Sequence, residues 1–597
     1  MKAGSREGLS LWTFFSACVV LVSCYHLSSS YVAGHFLPAD HDSFYHGRRI
    51  LDAIDAPLSV AQFDSHMHAP EGSWITWPWA YDAAMAEIAA VARRLGVLDP
   101  MSVLAWVAPV WSLVTTALLL GITRRLGLNL FFQGAVLACF AASPLTHLVH
   151  RVGMLDHHFI EYTFVLAVLY TGIRWTQAPT SMLWAVLTGA LLGAAPAFHN
   201  GDFILQLPVV AMMAIIWLRA PEGLNPRAVM AFADALMAVT LVFLLPSIPF
   251  QQGVFDFALH SWFHFYIACI TALIALALLR WSPTPRNVLM IMACGVVLTV
   301  PLLQQIRAGG EFVTGKIPGL AQMSEVVGPG HWLLTGAWRE IVRFYSWLFF
   351  IAPFACGIVA WRAWQYKRAD EGFVALLAVF GFVLLLQQQR LHYFGSFGLY
   401  LPLCMILNRE TPSAWRRRAT FYVLSAASIL GMCLPTLPVL TARLPIGDDF
   451  QYMLTRAIYP RFSATCRKMP GIVLADQNDG HYIRYHTDCA NIANNFILTR
   501  QHVEKNQLAE RLLAGSLSAV REKASYVKYI YVRRGDNVLD SNNQCAAHPC
   551  PENIGLRQTL LFAPAPPDVK LLATLTLQRG TATEPLARLF EILPKVK

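Results

Sequence analysis

Long apolar runs joined by short polar segments fill the chain from its start to about residue 442, where the pattern changes. Windows long enough to cross about 30 Å of hydrocarbon fall near 9–32, 102–121, 129–148, 158–175, 181–198, 202–218 and 227–247. Six more fall near 259–280, 285–304, 342–362, 371–388, 391–407 and 419–442. The count predicts about thirteen membrane helices. The first follows Lys2 and Arg6, and no small-residue cleavage site closes it, so it reads as a retained helix with its N-terminus inside. Beyond 442 the period shortens. A strand-like YVKYIYV at 526–532 and a helical stretch near 502–524 predict a smaller α/β domain. The expected fold class is therefore an α-helical polytopic membrane protein, 1–442, carrying a C-terminal α/β domain, 443–597.

Composition agrees: 56% of residues are hydrophobic and 14% charged, which excludes an ordinary soluble globular chain. The net charge of +10 requires no nucleic acid, because the cations gather in alternate joints. Arg124 and Arg125, Arg174, Arg219 and Arg227, Arg280 and Arg286, Arg362 to Arg368, and Arg409 to Arg418 all lie in joints predicted to be cytoplasmic. Removing one span would reverse the later joints and destroy the pattern. An odd count puts the C-terminal domain outside, together with loops 33–101, 149–157 and 305–340.

Of twelve cysteines, about eight sit in apolar runs as small core residues. In an oxidising compartment, Cys466 with Cys489 and Cys545 with Cys550 are candidate disulfides, while zinc fits their spacing less well. No internal repeat stands out.

The candidate chemistry lies in the outer segments. RVGMLDHHFIE at 151–161 places Asp156 and His158 between two apolar runs, where ionisable groups mark function by default. An i, i+2 carboxylate and imidazole can reach one divalent cation from a loop or a frayed helix start. Alternatively, Asp156 caps the next helix. PADHDSFYHGRR brings Asp42 just past the first helix, and QMSEVVGPG carries Glu325 in a Gly- and Pro-rich stretch. Trp74, Trp77 and Trp79 suit either a binding loop or an interfacial aromatic belt. Arg390, in LLLQQQRLHYFG, falls at the outer end of a span, where it must be ion-paired or bind an anion such as phosphate.

Asp42 in its D-x-x-Y-H context, R-x-G-x-x-D-H-H at 151–158, M-S-E at 323–325, Arg390, and NDGHYIRYHTD at 478–488 follow one another in an order that resembles the catalytic subunit of oligosaccharyltransferase. The prokaryotic single-subunit members of the GT-C superfamily are the nearest comparison. The resemblance implies that Asp42, Asp156, His158 and Glu325 hold Mn2+ or Mg2+, with Asp42 and Glu325 also orienting the acceptor. It implies that Arg390, and Arg151 at a differing offset, bind the donor's (pyro)phosphate.

The family's WWDYG motif aligns through Gly480 with Asp476, Gln477, Asn478 and Asp479, so both tryptophans and their aspartate are lost. Asp479, Gly480 and His481 are what remain as acceptor-binding candidates. The implied reaction is metal-dependent, inverting transfer of a glycan from a polyprenyl-(pyro)phosphate donor to an acceptor, by a single subunit in the inner membrane. The acceptor is a protein or, because the sequon-reading residues are absent, a lipid, a polysaccharide or another hydroxyl, as in the O-mannosyltransferases and lipid A glycosyltransferases. A transporter is the non-enzymatic alternative, and it would place its ionisable groups near the midplane in paired halves.

Overall fold

The computed structural model describes residues 3–25, 30–32, 34–316, 327–441, 453–534, 555–579 and 582–594. They divide into two compact units, the first of Met1–Leu27, Thr76–Ala84 and Trp106–Ala442, the second of Ser28–Ile75, Met85–Ala105 and Arg443–Lys597.

The first unit is helical. Among the described residues nine helices are long and apolar enough to cross a membrane, and a bent pair, Leu130–Ala141 with Pro144–His150, makes a tenth. The bend of 62° falls where Pro144 begins the second piece, a position that lacks an amide donor to continue the helix. His158–Gln177 and the shorter apolar helix Met182–Phe198 form an antiparallel hairpin, which returns the chain to the end it left. The apolar run expected at 391–407 is helical but broken: two 3-10 turns, Gln389–Phe394 and Ser396–Leu399, precede the helix Leu401–Arg409. Irregular backbone of this kind survives at membrane depth only when protein buries it, and Leu391 to Leu401 are buried throughout.

Small residues allow the closest crossing. On Met182–Phe198, a Cβ at Gly189 would meet Phe232 O at 2.3 Å, and one at Gly193 would meet Leu236 O at 2.7 Å. This G-x-x-x-G spacing seats the helix directly against the backbone of Pro226–Leu244.

The second unit is α/β. Its five-stranded sheet runs in the order Ala490–Asn491, Ile472–Leu474, Val527–Arg533, Ala582–Ile592, Val569–Arg579. The first three strands are parallel and the last two antiparallel. Val527–Arg533 is buried on both faces, which explains its nearly unbroken apolar character. Tyr529 and Tyr531 pack with Phe44, Tyr459 and Phe462, while Ile530 and Val532 pack with Leu512, Leu560 and Phe590. The predicted helix near 502–524 is two, Arg500–Ala514 and Leu517–Lys523, because Ser516 ends one turn and caps the next through Ala519 N at 3.3 Å. Loop 33–101 contains helices of its own, His41–Asp52 and Trp79–Arg94. Cys466 and Cys489 form the expected disulfide, whereas Cys545 and Cys550 lie outside the described residues.

Candidate functional site

In the helical unit, Asp156 ends the short turn before His158–Gln177 and is buried. Its Oδ1 accepts the His157 amide at 2.8 Å and lies 2.9 Å from His157 Nδ1, and its Oδ2 lies 3.0 Å from His158 Nε2. Asp156 therefore holds both imidazoles, and it is not the helix cap: His157 occupies that position, with no side-chain cap hydrogen bond. His158 Nδ1 in turn lies 2.7 Å from Glu161 Oε2, one helical turn on. The His158 side chain keeps 21% exposure, enough for its Nε2 edge to be reached together with Asp156 Oδ2. A carboxylate oxygen and an imidazole nitrogen at this separation suit a divalent transition metal, with Mn2+ favoured over Mg2+ by the nitrogen.

In the α/β unit, Asp42 lies in the first turn of His41–Asp52, which Asp40 caps by accepting Ser43 N at 2.9 Å. Asp42 Oδ1 is 3.3 Å from Nδ1 of the buried His481. His481 reaches it because Gly480–His486 begins hard against the chain at 493–494: a Cβ on Gly480 would meet Ala493 O at 2.2 Å. Asp479 is buried in an ion pair with Arg533, and the neighbouring Asp476 pairs with Arg557. Burial would raise the Asp476 carboxyl, but Arg557 and the Asn478 amide hold it below its ordinary value. The helix His41–Asp52 is locked in place by a second buried cluster. Asp64 Oδ2 accepts from Arg484 Nε at 2.9 Å and from Tyr45 OH at 3.0 Å. Burial works against its charge, yet His66 and Arg484 keep Asp64 well below the usual carboxylate range.

Arg390 sits in the 3-10 turn Gln389–Phe394 with its guanidinium 4.6 Å from the centre of the Phe312 ring, and among the described residues no carboxylate pairs with it. Arg151 is buried and ends the helix Pro144–His150, where its carbonyl accepts the Met154 amide at 3.2 Å. Glu325 lies outside the described residues. The structure thus joins Asp156 to His158, and Asp42 to His481. It also brings into the first cluster three groups that the motifs did not single out: Glu161, His199 and Asp202. The available signal was HNGDF at 199–203, ionisable residues at the joint between two apolar runs.

No family model matches the chain, and no curated protein does so. Solved structures do. The archaeal oligosaccharyltransferase AglB from Archaeoglobus fulgidus, in complex with an inhibitory peptide and a dolichol-phosphate, superposes with a TM-score of 0.72 at 17% identity, over 89% of this chain and 70% of that one. The chain has the oligosaccharyltransferase fold. The A. fulgidus enzyme tethered to an acceptor peptide containing the NVT sequon gives 0.67 at 16% identity, over 88% and 69%. Its complex with Zn and sulfate gives 0.64 at 17%, over 87% and 68%. The oligosaccharyltransferase fold accounts for the polytopic helical unit and the smaller α/β unit expected from the sequence.

Proposed function

We propose that this chain is a membrane glycosyltransferase that moves a glycan from a polyprenyl-(pyro)phosphate donor to an acceptor on the outer side of the inner membrane. The observation that carries this reading is the pair Asp156 Oδ2 and His158 Nε2, 3.0 Å apart and partly open, on an oligosaccharyltransferase fold. The reading is supported by the dolichol-phosphate and peptide bound to the archaeal neighbour. A divalent cation, Mn2+ or Mg2+, would neutralise charge on the departing phosphate oxygens. Asp156 and His158 would hold it, and Asp42 and Glu325 enter the same set from the motif order.

Arg390, with its fork uncommitted to any described carboxylate, would hold the phosphate, with Arg151 as a second candidate. Asp42, held by His481, would orient the attacking group. Because the leaving group is already activated, positioning and electrostatics suffice without a covalent intermediate, and the sugar carbon inverts. The chain would act as a single subunit, with residues 1–442 as the transmembrane domain, 443–597 as the extracytoplasmic domain and the N-terminus inside.

A second reading of the acceptor has its own support. Asn478 stands in the place of the sequon-reading aspartate, its neighbour Asp479 is taken up by Arg533, and no tryptophan precedes them. A hydroxyl of lipid, polysaccharide or protein then replaces the asparagine, with Gly480 and His481 beside it. Purified protein, a polyprenyl-linked donor and Mn2+ are incubated with sequon peptides, sequon-free peptides and lipid acceptors. Sequon-dependent product supports the first reading, transfer only to the others supports the second, and no transfer to any acceptor overturns both.

A further inference from the structure

We infer that the helical unit holds a second cation, bound by Glu161, His199 and Asp202, with His157 within reach as a fourth donor. None of these residues belongs to the Asp42, Asp156, His158 and Glu325 set, and the inference does not depend on that set being catalytic. Glu161 lies in the first turn of His158–Gln177, and His199 and Asp202 follow the end of Met182–Phe198, so the hairpin brings them together. One oxygen or nitrogen from each of the three lies within 4.8 Å of the others. Donors around one ion with bonds of about 2.0–2.2 Å stand roughly 3–4.4 Å apart, so small rearrangements suffice.

Asp202 is the observation that asks for a cation. It is fully buried, and neither of its carboxylate oxygens has a hydrogen-bond partner. His199 Nδ1 stands 4.0 Å from Oδ1, and among the described residues no lysine or arginine pairs with Asp202 or Glu161. A bare buried carboxylate is costly, and protonating it would leave both oxygens still without partners. A divalent ion removes that cost and also the repulsion between Glu161 and Asp202.

The surroundings are arranged for ligation. His199 Nδ1 faces Glu161 Oε1 directly, and a side chain at Gly201 would strike the His199 ring at 2.8 Å. The turn is pinned by Asn200, whose Nδ2 donates to Thr76 O at 3.1 Å and Ala258 O at 2.6 Å. His157 Nε2 lies 3.5 Å from Glu161 Oε1, while its Nδ1 is held by Asp156, the carboxylate–histidine arrangement that orients metal ligands. Two carboxylates and two imidazoles suit Zn2+ or Mn2+ rather than Ca2+ or Mg2+. The ion would clamp the hairpin and fix Asp156, and through it His158.

The test is metal counting on the full-length protein in detergent, stripped with chelator, reloaded with ZnCl2 or MnCl2 alone, and desalted. Asp202→Asn and His199→Gln are each expected to retain one tight equivalent fewer than wild type, and to lose the rise in unfolding temperature that Zn2+ gives wild type. Asp42→Asn is expected to keep this equivalent, so loss of the other cation site is read separately. Equal metal content in Asp202→Asn and wild type, or no tight metal in wild type, overturns the inference. Should Asp202→Asn fail to fold, Glu161→Gln provides the same comparison.

Discussion

Asp64 is one of the residues on which the α/β unit's acid stability turns. Its folded pKa is depressed, so its contribution is present above the unfolded carboxylate value of about 3.9 and is lost as pH falls through the folded value. Thermal unfolding followed from pH 6 to pH 3 is expected to show the unit weakening. In Asp64→Asn part of the acid dependence is expected to disappear, Asp476 keeping its share, while stability at neutral pH falls by about 1–3 kcal/mol, because the buried Arg484 is left with only the half-exposed Asp52 at 3.4 Å.

Arg390 makes the complementary case. Arg390→Leu is expected to weaken donor binding about 10- to 100-fold, the worth of one charge-assisted contact, with the acceptor KM unchanged. An unaltered donor affinity would remove Arg390 from the phosphate site. At this scale Asp156 and His158 were legible because polar groups between apolar runs are conspicuous. Their neighbours Glu161, His199 and Asp202 were not, because only the hairpin sets residue 161 beside residue 202.

Among the elements, the crossing of Met182–Phe198 over Pro226–Leu244 makes the sharpest prediction. Gly189→Ala is expected to destabilise the protein by about 1–3 kcal/mol, since the added carbon meets a backbone oxygen that has no room to move. Gly295→Ala, in a helix where nothing lies within 4 Å, is expected to be neutral or stabilising, because only helix propensity changes. Paired unfolding curves in detergent check the opposite signs. Apolar length located most of the long helices, because the bilayer's thickness imposes it, but of about thirteen spans expected nine, or ten with the bent pair, are long and apolar enough among the described residues. It did not locate the 3-10 turns Gln389–Phe394 and Ser396–Leu399, because the window at 391–407 is apolar on average whether its backbone is α-helical or wound more tightly. Nor did it show the helix His41–Asp52 inside the first outer loop, since a short polar helix has no such length signature.

At the scale of the whole molecule, the proposed topology puts the basic short loops on one side of the membrane and the α/β unit on the other. Cysteines introduced at Arg125 and Arg219 are expected to react with a membrane-impermeant maleimide only after the cells are opened, while one introduced at Glu504 reacts in intact cells; the reverse labelling would invert the chain. The disulfide Cys466–Cys489, with a sequence separation of 23, is worth roughly 3 kcal/mol by loop closure, and Cys466→Ser is expected to lower the unit's unfolding temperature accordingly. Both sulfur-bearing residues are fully buried beneath the sheet. The order of biosynthesis follows. With the α/β unit on the proposed outer side, the thiols would meet an oxidant only after the last membrane helix has been released and before the sheet closes over them. Reductant supplied during synthesis should therefore yield inserted but protease-sensitive chains, whereas the same reductant supplied an hour later should find nothing to attack.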